Sequence, residues 1–139
     1  VSEKLSVVVE REFPCPPERL WRALTQPHLI EEWLMQNDFK PEAGHRFTLR
    51  TDPKPTWSGV LDCEVLTVEP LKTLAYTWGS PMGDSATVVT WTLTPTATGT
   101  HLRMEHAGFR PDRRRNYQGA KLGWQRFIAR LEQVAARTD

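Results

Sequence analysis

YQGAKLGWQRFIARLEQVAA, residues 117–136, decides how the rest of the chain can fold. Ala120, Trp124, Phe127, Leu131 and Val134 fall at steps of four and three, the repeat of one helix face. Tyr117 and Ile128 flank that stripe, while Lys121, Arg126, Arg130 and Glu132 occupy the remainder. The pattern predicts a long helix with a broad apolar side. Gly119 and Gly123 interrupt it, and each costs a helix about 1 kcal/mol relative to alanine. Such a cost implies a gain elsewhere: either a neighbour packed close against the helix or room beside it.

Everything upstream reads as the partner of this helix. KLSVVVEREF alternates as a strand, with Leu5, Val7 and Val9 on one face. In CPPERLWRALTQ a proline opens a short helix carrying Leu20, Trp21 and Leu24, and PHLIEEWL repeats the device from Pro27, pairing Leu29 with Trp33 and Ile30 with Leu34. The period then changes to two. GHRFTLRTD, WSGVLDCEVLTVEP, KTLAYTW, ATVVTWTLTP and HLRMEHAGF read as five strands, and their short connections imply antiparallel neighbours. In the second of these, Trp57 to Val68, Leu61 and Leu66 cannot share a face without a bulge. GSPMGDS and TATGT are turns, and RPDRRRN is a polar connection.

A sheet with one apolar face must cover it, and residues 117–136 form the only element long enough to do so. The expected architecture is α+β: a curved six-stranded antiparallel sheet wrapped on a long C-terminal helix, with two short helices after the first strand. The 139 residues suit a single domain, 1–139, large enough to bury a core.

Composition narrows the partners. A formal net charge of +1 supplies no global field toward nucleic acid or an anionic membrane. Cys15 and Cys63 lack metal-knuckle spacing and fit free thiols in a reducing compartment, and His28, His45, His101 and His106 are scattered, so no metal site is expected. No apolar run approaches a membrane span, and VSEKLSVVVE is too charged for a signal peptide, so a cytoplasmic location without membrane insertion is expected. There is no phosphate-binding glycine loop and no nucleophile elbow, and no cofactor is expected. Glu31 and Glu32 point apart on a helix, and Asp62 and Glu64 lie on the face opposite Leu61 and Cys63, so neither pair suits paired-carboxylate chemistry.

Four fragments in order carry a family resemblance: REFPCPPERLWRALTQPHLIEEWL, then VEP followed by LAYTW, then HAGF, then LGW in the last helix. The chain resembles, over nearly its whole length, the bacterial domains similar to the activator of the heat-shock-protein-90 ATPase, within the START-like (SRPBCC) helix-grip superfamily. That resemblance implies a largely apolar cavity between sheet and C-terminal helix, used across the superfamily for hydrophobic small molecules. It also implies relatives that act as co-chaperones in the stress response and a few that perform chemistry on a bound ligand.

The helix laid across the sheet aims Trp124 and Phe127 at the volume faced by Phe47, Leu49, Tyr76, Trp78, Val89, Trp91, Met104 and His106. Trp33, Trp57 and Leu61 complete the candidate ligand-binding set. These residues serve either as ordinary core or as the lining of a pocket, beside the room left by Gly59, Gly119 and Gly123. His106 faces inward, where a neutral imidazole would bond a ligand's polar head, Tyr76, Tyr117 or another protein group. Arg110, Arg113, Arg114 and Arg115 form the one charge cluster, a solvated mouth or an attractor for an anion or an acidic partner.

Three functions stay open on these grounds. The first is a binder of a small hydrophobic or amphipathic molecule, the second a protein-interaction module with a filled core, and the third a cyclase- or hydrolase-like enzyme using His106 and a tyrosine. The expected partners are thus a small apolar ligand and, on the second reading, another protein, with no nucleic acid. Oligomeric state is not legible in the sequence.

Overall fold

The computed structural model describes residues 5–52, 59–79, 87–109 and 114–137, the side chains of 114–116 excepted. Trp57, most of the GSPMGDS turn and Arg110 and Arg113 lie outside the described residues. Strand β1 (Leu5–Phe13) is followed by helices α1 (Pro17–Thr25) and α2 (Pro27–Trp33), then β2 (Gln36–Asn37), β3 (Arg46–Arg50), β4 (Val60–Glu69), β5 (Thr73–Trp78), β6 (Thr87–Pro95), β7 (Thr100–Phe109) and α3 (Arg114–Arg137). The strands form one sheet in the order β1-β7-β6-β5-β4-β3-β2, every pairing antiparallel. This is the helix-grip arrangement expected from the sequence, with two differences. The sheet has seven strands because Gln36–Asn37 adds a two-residue edge to β3, and Arg114 and Arg115 belong to α3 rather than to the connection before it.

Proline opens both short helices: Pro17 and Pro27 occupy first-turn positions, where the missing N–H removes no intrahelical bond. The Trp33 indole donates to the carbonyl of Ala23 at 2.8 Å, tying α2 to α1 across the buried face they share.

Two bulges decide which side chains reach the interior. In β4 the pairing steps from Val65↔Tyr76 to Thr67↔Ala75, leaving Leu66 as the extra residue, 43% exposed. Val65 and Val68 thereby both pair with inward residues of β5, which resolves the conflict between Leu61 and Leu66 in the sequence. In β7 the register shifts opposite Leu5 and Ser6, and Gly108 takes φ +102, a conformation that side-chain-bearing residues rarely adopt. The extra residue turns Phe109 rather than position 108 toward the core.

On α3, Trp124, Ile128, Leu131, Val134 and Ala135 are buried. Ile128 takes the central place and Phe127 is left half-buried, a one-residue rotation from the predicted stripe. The α3 backbone runs close to β1, α1 and α2 and has no comparable approach to β3, β4 or β5. No helix among the described residues is long and apolar enough to cross a membrane.

Candidate functional site

Inward positions of successive strands and of α3 converge on a set of aromatic rings. Alternation along β5 sends Leu74, Tyr76 and Trp78 inward; β6 adds Thr87, Val89 and Trp91; β7 adds Met104 and His106. Trp91 lies edge-on to Trp33 at 5.6 Å and to Trp124 at 5.5 Å, so three indoles make a continuous wall from α2 to α3. A second cluster, Phe39, Phe47 and Tyr76, packs edge-to-face at 5.0–6.1 Å. The two are joined by the Trp91 indole, which donates to the Tyr76 hydroxyl at 2.9 Å. Burial raises the Tyr76 phenol well above its ordinary range.

His106 is held by both nitrogens. The Trp124 indole N–H donates to Nδ1 at 2.8 Å, which makes that atom the acceptor; Nε2 therefore carries the proton and donates to the Thr87 hydroxyl at 2.6 Å. Thr87 passes its own proton to the carbonyl of Trp78 at 3.0 Å. The chain Trp124–His106–Thr87–Trp78 thus ties α3 to β7, β6 and β5 with every polar atom satisfied. Desolvation lowers the His106 pKa to about 4, so the imidazole is neutral at pH 7. The two tyrosines considered from sequence are not its hydrogen-bond partners. A general-acid or general-base role for His106 would first require one of these two bonds to break.

Of the predicted site residues, Trp33, Phe47, Leu49, Tyr76, Val89, Trp91, Met104, His106 and Trp124 are buried together. Leu61, Trp78 and Phe127 are half-buried against them. Trp78 and Phe127 each contact the Trp124 ring, at 5.1 and 5.6 Å, but no ring contact joins them to each other. Both flank the Trp124 ring with partly exposed surface, Trp78 at the end of β5 and Phe127 one turn along α3. A Cβ added to Gly123 would meet only the edge of the Phe127 ring at 3.8 Å, and one added to Gly119 would meet nothing within 4 Å. Of the two explanations offered for these glycines, close packing fails for both. Gly119 faces solvent, and Gly123 leaves room beside Phe127.

Phe39, Thr87 and Phe109 were missing from the sequence-derived set. Thr87 was in principle legible, because it extends the inward alternation Val89, Trp91, Leu93 by one step. Phe109 was concealed by the Gly108 bulge, and Phe39 lies in a connection without periodicity. Cys63 is a buried thiol pushed up to about 12 by desolvation, and Cys15 is raised for the same reason, so neither is a poised nucleophile. No group of three His, Cys, Asp or Glu among the described residues could hold a metal ion.

Comparison with known proteins places this arrangement. A solved structure of protein MLL2253 from Mesorhizobium loti is 64% identical, with a TM-score of 0.88, over 97% of this chain and 99% of that one. Protein BH1534 of Bacillus halodurans is 26% identical, with a TM-score of 0.81, over 97% and 99%. DynU16, from the dynemicin biosynthetic locus, is 26% identical with a TM-score of 0.78 over 95% of this chain and 47% of its own. No functionally curated protein matches. The family model described as "Activator of Hsp90 ATPase homolog 1-like protein" matches residues 14–136, and the chain belongs to that family.

Proposed function

We propose that Trp78, Phe127 and Trp124 bound a notch between the sheet and the first half of α3, and that the protein binds a small hydrophobic or amphipathic molecule there. The observation that carries this reading is the pair of half-buried rings, Trp78 and Phe127, each in contact with Trp124, next to Gly123, where an added Cβ would touch only the edge of the Phe127 ring. Apolar surface left uncovered beside a rigid, hydrogen-bond-satisfied wall is what a guest of modest size would cover. The likeness to DynU16, from the dynemicin biosynthetic locus, is in keeping with the same reading.

The test is titration with a neutral fluorescent probe, N-phenyl-1-naphthylamine. Binding at one site per chain, with quenching of tryptophan emission and a rise in Tm that grows with probe concentration, is the expected result. Saturable binding should disappear in Gly123→Leu, which fills the space beside Phe127, and persist in Gly119→Leu, which extends into solvent. Absence of binding to the native protein overturns the reading.

A further inference from the structure

We propose that the guest is a planar aromatic acid, its ring seated between Trp78 and Phe127 and its anionic group held by Arg126 and Arg130. This rests on the notch being a binding site, and three features of the surroundings specify the occupant. Depth comes first. Behind Trp124 stand Trp91 and then Trp33, edge to edge, and a guest seated against Trp124 meets this wall of rings, which suits one ring system better than a long acyl chain. Polarity comes second. The Trp124 and Trp91 N–H groups, both His106 nitrogens, the Thr87 hydroxyl and the Trp78 carbonyl bond one another, and the Tyr76 hydroxyl already accepts from Trp91. The walls thus present ring faces and edges, and a flat ring satisfies them without needing a buried partner of its own.

Charge comes third. Arg126 follows Gly123 by three residues and Arg130 follows Phe127 by three, so each lies one turn along α3 from a residue of the proposed seat. Both are exposed, and among the described residues neither has a carboxylate partner, whereas Arg11, Arg46, Arg103 and Arg137 each have one. Every charged side chain of α3 from Tyr117 to Leu131 is cationic: Lys121, Arg126 and Arg130. Two arginines four residues apart on α3, each one turn from the proposed seat, would hold a carboxylate or sulfonate while its ring is buried.

The test compares 2-naphthoate, its uncharged isostere 2-naphthamide, and laurate, by calorimetry and tryptophan quenching. The expected order is naphthoate first, naphthamide weaker by about fivefold at low salt, and laurate without measurable competition. In the double variant Arg126→Gln with Arg130→Gln the naphthoate preference should vanish while naphthamide affinity is kept. Equal binding of naphthoate and naphthamide, or a preference that survives the double variant, removes the anion clause. Laurate binding as well as naphthoate removes the aromatic clause. In either case a positive result with the neutral probe leaves the binding site itself standing; if no compound and no neutral probe binds, the site reading fails along with the proposal.

Discussion

The two ends of the sheet treat glycine and histidine in opposite ways. At the β6–β7 turn, a Cβ on Gly99 would run into the carbonyl oxygen of Phe13 and lie 2.9 Å from the amide nitrogen of Cys15, while Thr100 donates to the Cys15 carbonyl at 2.8 Å. At the far end, an added Cβ would meet nothing within 4 Å at Gly119 and only the edge of the Phe127 ring, at 3.8 Å, at Gly123. His101, near the closed end, lies on the outer face of the sheet between two carboxylates, and His106, toward the open end, is buried and neutral. α3 spans both ends. Its second half buries Ile128, Leu131, Val134 and Ala135, whereas no residue from Tyr117 to Gly123 is fully buried. Close backbone packing stands at one end and partly exposed aromatic rings at the other, the division expected of a scaffold that presents a site.

The sharpest way to break this contrast is at Gly99. Gly99→Ala places a methyl group against backbone that cannot rotate away, and we expect a loss of more than about 4 kcal/mol or failure to accumulate folded protein. Denaturant unfolding measures it, and a loss below about 1 kcal/mol would show that the turn yields and the closed end is not rigid. Trp124→Ala comes next. The indole is 1% exposed, touches Trp78, Trp91, His106 and Phe127, and donates to His106, so truncation should cost about 3–5 kcal/mol. The same experiment marks the boundary between the two halves of α3, because Tyr117→Ala, seven residues earlier, removes a half-buried ring and should cost distinctly less.

Much of this division was legible in the sequence, and the physical reasons for what was not are local. The α3 face, the strand alternation and the proline starts are periodic signals that burial enforces, so Leu74, Trp91, Met104 and Leu131 lie where the pattern puts them. A one-residue rotation between Phe127 and Ile128 lies within the width of an apolar helix face, and only the neighbours' shapes decide which of the two enters. Hydrogen-bond partners carry no period at all. The strand alternation turns His106 inward, but its bonds to Thr87 and Trp124 join positions 18 or 19 residues apart and exist only once β6, β7 and α3 are assembled. The two environments of glycine were indistinguishable for the same reason, since Gly99 and Gly123 differ only in what the fold brings near them.

Acid separates the two histidines. The His106 pKa is lowered from 6.5 to about 4 in the folded state, so the unfolded chain takes up the proton first as pH falls. The contribution is complete above pH 6.5 and is lost as pH falls toward about 4, with a total of about 3 kcal/mol. Unfolding free energy measured across that window should decline in the native protein and decline less in His106→Gln, whose amide accepts and donates without titrating there. Equal slopes would mean that the site admits water and that the open end reaches as far as His106. Among smaller effects, Gly119→Ala should raise stability by about 1 kcal/mol, since the methyl group meets nothing and the helix gains alanine's propensity. A loss instead would show that the start of α3 needs its glycine for something other than space.

His101 sets the smallest effect, and its sign is opposite. Nδ1 faces Glu12 at 2.5 Å and Nε2 faces Glu10 at 2.9 Å, and these hydrogen bonds, Glu12 first, raise the pKa above 6.5. A raised folded value means that the contribution is fully present below pH 6.5 and is lost as pH rises through the folded pKa. Because the group is solvent-exposed, the gain is screened, and the clean readout is the pKa itself, followed by the imidazole proton shifts in NMR. Glu12→Gln should lower that pKa more than Glu10→Gln does, and both effects should shrink in high salt. His106, with no carboxylate beside it, should not respond to either variant or to salt. A shared response would mean that charge at the closed end is felt in the aromatic site, and the two ends would then have to be treated as one electrostatic unit.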